Sequence, residues 1–439
     1  MMFTKEDLIR VTGAKVLKNE GEKEYSISTD TRTITSNDIY LPLKGENFDG
    51  EKFINQDCIK AYFTAGNEVT KHSNFVLQVP DTKEAYLKLA NFYRNKINPI
   101  TVGITGSAGK TTTKELVYSV LSQKFKTQKT FSNHNNEIGF CQTVLSMNED
   151  TEALIVEMGM RGLGEIELIS KYLQPDFAII TNCGSAHVGR LGSLDNIAIA
   201  KCEIVSGLKN NGTFIGLDQE RTKKHLNYNG EKIYYSLNDV RIINKAPSYT
   251  KFSYKNCIYE INVEGEYNVE NSLSAIELGL KLNMASEEIA TGLKSYRPIE
   301  KRWEAQNVNG LNIINDSYNA NPESMKASVK TFVELYKNPV VVMGDMGELG
   351  ENSSKYHAEV GQYLSQLNKS VKYLLVGELI KNGGKILENA GFEVHYFNSN
   401  ADVACYIVEN LNESNTIFLK ASRSMKFEEI IEFIKKRDI

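Results

Sequence analysis

Ile100-Thr-Val-Gly-Ile-Thr-Gly-Ser-Ala-Gly-Lys-Thr-Thr112 is the stretch on which the reading of this chain turns. A short apolar strand runs into a glycine turn, Gly106-Ser107-Ala108-Gly109, and Lys110, Thr111 and Thr112 open a helical pattern that continues toward Phe125. Backbone N–H groups in such a loop, together with the positive end of the helix, cradle a polyphosphate. Lys110 would neutralise it, and a threonine hydroxyl would reach a magnesium ion. Gly103 stands one position too early for the usual spacing, because Ile104 occupies that slot. Strand, glycines, lysine and threonine nevertheless agree on one context, a nucleotide-binding P-loop.

Outward from this loop, the apolar runs at 153–159 and 177–184 read as buried strands separated by helical patterns, which predicts a largely parallel sheet. Before it, Asp81 followed by Glu84 predicts a helix start, and Asn98-Pro99 a break, since the residue before proline is pushed out of helical geometry. After Trp303 a β/α rhythm restarts and runs to a final helix from about Met425. The expected fold is α/β in three domains. They are a small N-terminal α/β domain over 1–98, a central P-loop parallel-sheet domain over 99–306 and a C-terminal Rossmann-like doubly wound domain over 307–439.

At 439 residues and 41% hydrophobic, the chain is long enough for about three cores. A net charge of −4 gives no overall basic footprint, so nucleic acid is not an expected partner. Glu6 and Asp7 stand where a signal peptide needs a basic start, and no run approaches the roughly 20 apolar residues of a membrane span. A cytoplasmic protein without membrane insertion is expected. The six cysteines lack a C-x-x-C pair and read as reduced, mostly buried thiols.

A P-loop alone does not separate hydrolase, switch, kinase and ligase. Glu157 ends an apolar strand where a carboxylate would meet a metal, although a surface acid closing the strand would look the same. His187 follows the next strand, at the mouth of the same sheet. Lys201, by composition alone, is a solvated helix residue. Asn268 and Asn271 open a helix and either cap it or read an adenine edge. Arg302 is an ordinary ion-pairing residue or an arginine reaching the transferring phosphate from outside the P-loop domain. The polar turn Asn315-Asp-Ser-Tyr-Asn-Ala-Asn-Pro-Glu-Ser324 caps a helix or meets a ligand, and Gly344-Asp-Met-Gly-Glu-Leu-Gly350 is a glycine-rich loop or a pocket for a small polar substrate.

Taken in order, TGSAGKTTTKE, HNNEIGF, VEMGMRGLGEI, TNCGSAHVGRLGS, AKCEI, GEYNVENSLSA, KRWE, DSYNANPES, GDMGELG and LKASRSM, with STDTRTI and LPLKGENFDG before them, resemble the Mur ligases of peptidoglycan synthesis over nearly the whole chain. The resemblance implies an ATP-dependent peptide-bond-forming ligase working through an acyl-phosphate. TGSxGKTTTK, DSYNANP and GDMxELG look like the branch that adds D-alanyl-D-alanine to UDP-N-acetylmuramoyl-tripeptide; the DYAH-type and DNPR-type strings of the branch adding diaminopimelate or lysine are missing. The alternatives are another Mur-type or folylpolyglutamate-type amide ligase, or a nucleotide switch without catalysis.

Carried over by residue, the resemblance assigns the loop Gly106–Thr112 to ATP, and Thr111, Glu157, His187 and Lys201 to magnesium, with two ions expected and Lys201 carbamylated. Asn268, Asn271, Arg302 and Asp316 are implied ATP contacts, and Lys110, His187, Lys201 and Arg302 the implied catalytic set. Thr31, Arg32, Lys44 and Gly45 fall in the block implied to recognise the UDP-sugar. Asn135, Asn136, Tyr318, Asn319 and Asn321 fall in strings implied to line the cleft, the C-terminal domain receiving the dipeptide and the protein acting as a monomer. Three residues depart from the family pattern: Tyr267 where many relatives carry His, Ala421 in place of a usual Gly, and Glu51 where a His often follows the Asp-Gly pair.

Overall fold

The structure is a computed structural model that describes residues 2–45, 47–298, 301–367 and 370–436. Four sheets follow one another along the chain. The first orders its strands Phe3–Thr4, Glu24–Ser28, Asp38–Tyr40, Ala61–Thr64, Phe75–Gln78 and Lys15–Asn19, parallel in the middle and antiparallel at both edges. The helix Thr82–Ile97 then starts as its sequence predicts: the Asp81 carboxylate accepts the N–H groups of Lys83 and Glu84. It ends on Asn98 in the left-handed conformation. This helix is docked on the next layer, with Tyr93 Oη donating to the Met147 carbonyl at 2.9 Å and Asn91 Nδ2 to that of Tyr172 at 2.6 Å.

The second sheet is wholly parallel, in the order Glu231–Tyr235, Thr213–Leu217, Phe177–Ile180, Ile100–Thr105, Ala153–Glu157, Thr127–Lys129. Strand Ile100–Thr105 sits between two strands that follow it in the chain, so the strand order reverses on either side of it. A crevice opens at the carboxyl ends of strands at such a switch point. The loops after residues 105, 157 and 180 all leave the sheet there.

A small antiparallel sheet, Arg241–Ala246, Tyr249–Tyr254 and Cys257–Ile261, is an addition to the expected parallel architecture. Its second hairpin turns on Lys255 and Asn256, both at positive φ, the backbone that a two-residue hairpin loop demands. Buried Glu277 accepts a hydrogen bond from Tyr254 Oη and pairs with Lys255 at 2.7 Å, pinning the sheet to the helix Glu266–Lys281.

The last sheet orders Glu304–Val308, Leu311–Asn315, Thr416–Lys420, Pro339–Gly344, Lys372–Val376 and Glu393–Phe397; all pairs are parallel except the first. Its first strand already begins at Glu304 and pairs through Val308 with Leu311, so the expected division between 306 and 307 falls inside a strand. The composition on either side of Trp303 hides this, because a hairpin strand this short carries little periodicity. Of the cysteines, all free, Cys141, Cys183 and Cys202 are buried, Cys257 and Cys405 half-buried and Cys58 exposed, so "mostly buried" holds for half of them. Among the described residues no helix is long and apolar enough to cross a membrane.

Aromatic rings fill the junction of the second and last sheets. Trp303 lies 5.1 Å from Phe418 and 6.1 Å from Tyr267 between ring centroids, and Phe418 is stacked 5.0 Å from Phe332. Phe418→Ala is expected to cost about 3–5 kcal/mol through the cavity it leaves. Trp303 is the chain's single tryptophan, so urea unfolding followed by its emission should show the red shift at a lower midpoint in the variant.

Candidate active site

The P-loop is held in a tight curl by its neighbours. A Cβ on Gly106 would lie 1.8 Å from Thr181 Oγ1, and one on Gly109, at φ +80, would lie 2.4 Å from Asn271 Oδ1. Only glycine fits at these points. The Ala108 N–H donates to Asn182 Oδ1 at 3.0 Å and its carbonyl accepts from Thr181 Oγ1. Ser107 Oγ accepts from the Gly184 N–H at 2.9 Å. The strand end at 181–184 thus braces the loop from behind. Lys110 Nζ folds back onto the Gly106 carbonyl at 2.8 Å, and burial pushes its pKa below the usual lysine value.

The loop faces a cleft of about 1080 Å³. Its walls include Ser107–Thr111, Asn133–Gly139, Glu157, Gly159–Arg161, His187, Arg302, Tyr318–Asn321, Glu348 and Lys420. Among the expected site residues, it therefore gathers Lys110, Thr111, Asn135, Asn136, Glu157, His187, Arg302, Tyr318, Asn319 and Asn321. Thr31, Arg32, Lys44 and Gly45 stand apart in the N-terminal layer, where Arg32 pairs with Asp30 at 2.6 Å and Lys44 bridges to Asp49. Gly106, Thr112, Lys201, Asn268, Asn271 and Asp316 are not among the residues that line the cleft.

Glu157 is 2% exposed, not a surface acid. Its Oε1 accepts from Asn135 Nδ2 at 3.0 Å, while Oε2 has no hydrogen-bond partner. A buried carboxylate oxygen without a donor is costly and is the atom to which a cation would be drawn. Thr111, the first-turn hydroxyl, and His187 line the same cleft, so the donor set fits a hard divalent ion. His187 sits at φ +68 with Nδ1 2.6 Å from Glu348 Oε2, a close polar contact. His187 holds the Glu348 carboxyl below its usual pKa.

Lys201 overturns its composition-based reading as a solvated residue. It is 1% exposed, and burial first, then the nearby Lys110 charge, bring its pKa down to about 7. Asn268 and Asn271 do not cap their helix, which begins after Gly265. Asn268 Nδ2 donates to the Glu264 carbonyl at 2.7 Å, and Asn271 packs on Gly109. Asn136 and Asn321, in contrast, cap helices and line the cleft at once, accepting from the N–H groups of Gly139 at 2.9 Å and Ser324 at 2.8 Å.

The last layer closes on the P-loop through several contacts. Arg302 Nη2 donates to Thr111 Oγ1 at 3.0 Å, and its guanidinium lies 4.0 Å over the Tyr318 ring. Glu323 accepts from both the N–H and the hydroxyl of Ser185 at 2.9 Å. The Gly189 N–H donates to the Glu348 carbonyl at 3.0 Å, and Gly189 touches Gly350 so closely that a Cβ on it would lie 2.3 Å from the Gly350 nitrogen. Asp316 is paired with Lys420 at 2.6 Å.

Glu323, Glu348, Arg161 and Lys420 are cleft or interface residues that the sequence reading passed over. Glu348 lay inside the quoted GDMGELG loop, but nothing local marks it as the partner of His187. The three departures have local roles: Glu51 accepts from Thr64 Oγ1 at 2.9 Å and the Ala65 N–H at 2.7 Å, Tyr267 packs on Trp303, and buried Ala421 sits where a Cβ on Gly344 would be 2.9 Å away.

The Mur ligase middle domain matches residues 104–279, and the Mur ligase glutamate ligase domain matches residues 301–423. The UDP-N-acetylmuramoyl-tripeptide–D-alanyl-D-alanine ligase of Bacillus subtilis is 36% identical over 432 residues, covering 93% of this chain and 92% of that protein. The ligase of the same name from Haemophilus influenzae is 31% identical, covering 98% of both. Crystal structure I of MurF from Acinetobacter baumannii superposes with a TM-score of 0.89 at 27% identity, covering 99% of each chain. With its P-loop, cleft and full-length likeness to these proteins, the chain belongs to the Mur ligase family.

Proposed function

We propose that the protein adds D-alanyl-D-alanine to UDP-N-acetylmuramoyl-tripeptide at the expense of ATP, giving the pentapeptide precursor of peptidoglycan. The observation that carries the reading is the single cleft that joins a phosphate-cradling loop to a wall of amide and aromatic side chains from the last layer, in a chain similar along almost its whole length to ligases of that name.

The tripeptide's terminal carboxylate has no viable leaving group, so it attacks the γ-phosphorus of ATP and ADP departs. The dipeptide amine then attacks the acyl carbon of the resulting acyl-phosphate, inorganic phosphate leaves and the amide forms. The amine must react uncharged, although an α-amino group of pKa about 8 is mostly protonated at neutral pH. The P-loop amides and Lys110 hold the polyphosphate, and Arg302 reaches the same first helical turn to meet charge building on the transferred group. Thr111, Glu157 and His187 would hold Mg²⁺, which supplies charge neutralisation on the phosphate oxygens. The orphaned Glu157 Oε2 supports that assignment.

Lys201 is proposed to be carbamylated and to serve a second Mg²⁺. With a pKa near 7 it has a large uncharged fraction at neutral pH, and only the uncharged amine adds to CO2. Asn268, Asn271 and Asp316 are assigned to the nucleotide end. The UDP-sugar rests on the N-terminal layer around Thr31, Arg32, Lys44 and Gly45. Tyr318, Asn319 and Asn321 face the incoming dipeptide, with Asn135 and Asn136 on the tripeptide side. Action as a monomer in the cytoplasm completes the reading, the location following from a nucleotide-sugar and ATP as the proposed substrates.

Purified protein with ATP, UDP-N-acetylmuramoyl-tripeptide and either D-alanyl-D-alanine or single amino acids should release phosphate only with the dipeptide, and product mass should rise by one dipeptide residue. Release with a single amino acid instead would move the chain to a sister ligase; ATP binding without any coupled product would leave a switch. Glu157→Gln keeps size but loses the charge, and kcat should fall about 100-fold. Removing CO2 and bicarbonate should depress activity, and Lys201→Ala should be inactive until a short-chain carboxylic acid is added. Since the amine is freed as pH rises through its pKa, dependence on added bicarbonate should be strongest on the acid side of about 7. Full activity of Lys201→Ala in CO2-free buffer would remove the carbamate from the mechanism.

A further inference from the structure

Lys114 lies one helical turn beyond Lys110 on the helix Lys110–Leu121 and is 1% exposed. An ammonium this deep is costly unless its charge is answered. Its Nζ donates to the carbonyl oxygens of Thr130 at 2.9 Å and Ser132 at 3.4 Å. It also lies 3.3 Å from Glu115 Oε1 and 3.8 Å from Glu157 Oε2, and Glu115 is in turn paired with Lys129. Two lysines and two glutamates thus balance one another under the cleft.

The carbonyls that Lys114 holds belong to the turn leading into Asn133–Asn136, one wall of the cleft. The same turn is sewn to strand Ala153–Glu157: the Glu157 N–H donates to Thr130 Oγ1 at 3.0 Å, Asn135 Nδ2 donates to Glu157 Oε1 at 3.0 Å, and the Gly159 N–H donates to the Asn135 carbonyl at 2.7 Å. At 3.8 Å the ammonium steadies Glu157 by charge without donating to Oε2, which stays buried and without a hydrogen-bond donor in the cleft wall.

We propose that Lys114 is a positioning residue for the ligation: one buried ammonium holds the wall that receives the carboxylate substrate against the carboxylate that faces the phosphates. The proposal rests on the ligase reading above. It makes Lys114 selective in effect, since the phosphate loop itself is braced elsewhere, by Thr181, Asn182 and Asn271.

Steady-state kinetics of the full-length enzyme test it. Lys114→Met keeps length and removes the charge; KM for UDP-N-acetylmuramoyl-tripeptide should rise about tenfold while KM for ATP stays within about twofold. Amide hydrogen exchange in Lys114→Met should quicken across 130–136 and stay unchanged in strand Ile100–Thr105. A merely structural lysine would move both KM values together, or lower kcat alone; either result, or wild-type behaviour, overturns the proposal. Should Lys114→Met fail to fold, Lys114→Arg carries the test, because a planar guanidinium keeps the charge but cannot present the same donors to both carbonyls. It should show the same split, smaller in size, and equal KM values to wild type would overturn the proposal. Wild-type enzyme that forms no amide would instead sink the ligase reading, and the exchange comparison still judges the role of Lys114 as a support for the turn.

Discussion

Everything in the cleft hangs on a loop with no space behind it. The Thr181 hydroxyl and the Asn271 amide occupy the positions that side chains at 106 and 109 would need. The backbone of the P-loop is pressed between the end of a neighbouring strand and a helix that arrives more than 150 residues later in the chain. The bracing takes up the N–H groups of Ser107 and Ala108, which donate to the Asn182 carbonyl and Oδ1 at 3.0 Å each, so the donors left for a ligand are those that open the helix Lys110–Leu121. Preorganised donors of this kind cost nothing to reorient when charge develops against them. The parallel sheet is what makes the pressing possible, since its order reverses on either side of the strand Ile100–Thr105 and brings the end of Phe177–Ile180 directly alongside.

The second requirement is that a different layer supply the rest of the site. Arg302, Glu323 and Glu348 all come from beyond the second sheet, and each meets a residue of the P-loop or of the 181–189 segment, with the Tyr318 ring lying under the Arg302 guanidinium. Behind them the Tyr267, Trp303, Phe418 and Phe332 rings fill the joint. Polar contacts of this sort add little net stability when exposed. Their value lies in direction, because they fix which face of the last layer looks onto the phosphates, while the rings supply the apolar burial that holds the joint together.

The parts of this arrangement that could be read in the sequence are those written in short range. The glycine spacing, the strand before it, the Asp81 cap and the β/α rhythm of the last third each depend on residues within a few positions of one another, and each appears where expected. The hairpin that starts at Glu304 and the antiparallel sheet at 241–261 were harder, because two to six residues of alternation are a weak signal without their partners. Lys201 shows the limit most clearly. Its neighbours in the helix Leu194–Cys202 say nothing about the burial that brings its pKa to about 7, nor about the Lys110 charge, far away in the chain, that adds to it. Glu348 and Lys114 are similar cases, with partners that only the folded topology supplies.

The touching backbones of Gly189 and Gly350 bear on the mechanics of the cleft. Where side chains meet, a substitution can lengthen or shorten the contact by a methylene; where two glycines meet, only main-chain atoms are left to give way. The nearest approach of the two layers at this point is therefore an end stop set by atomic radii. Drift elsewhere on either surface leaves it in place, so the depth to which the last layer can press onto the 181–189 segment is a fixed dimension of the fold.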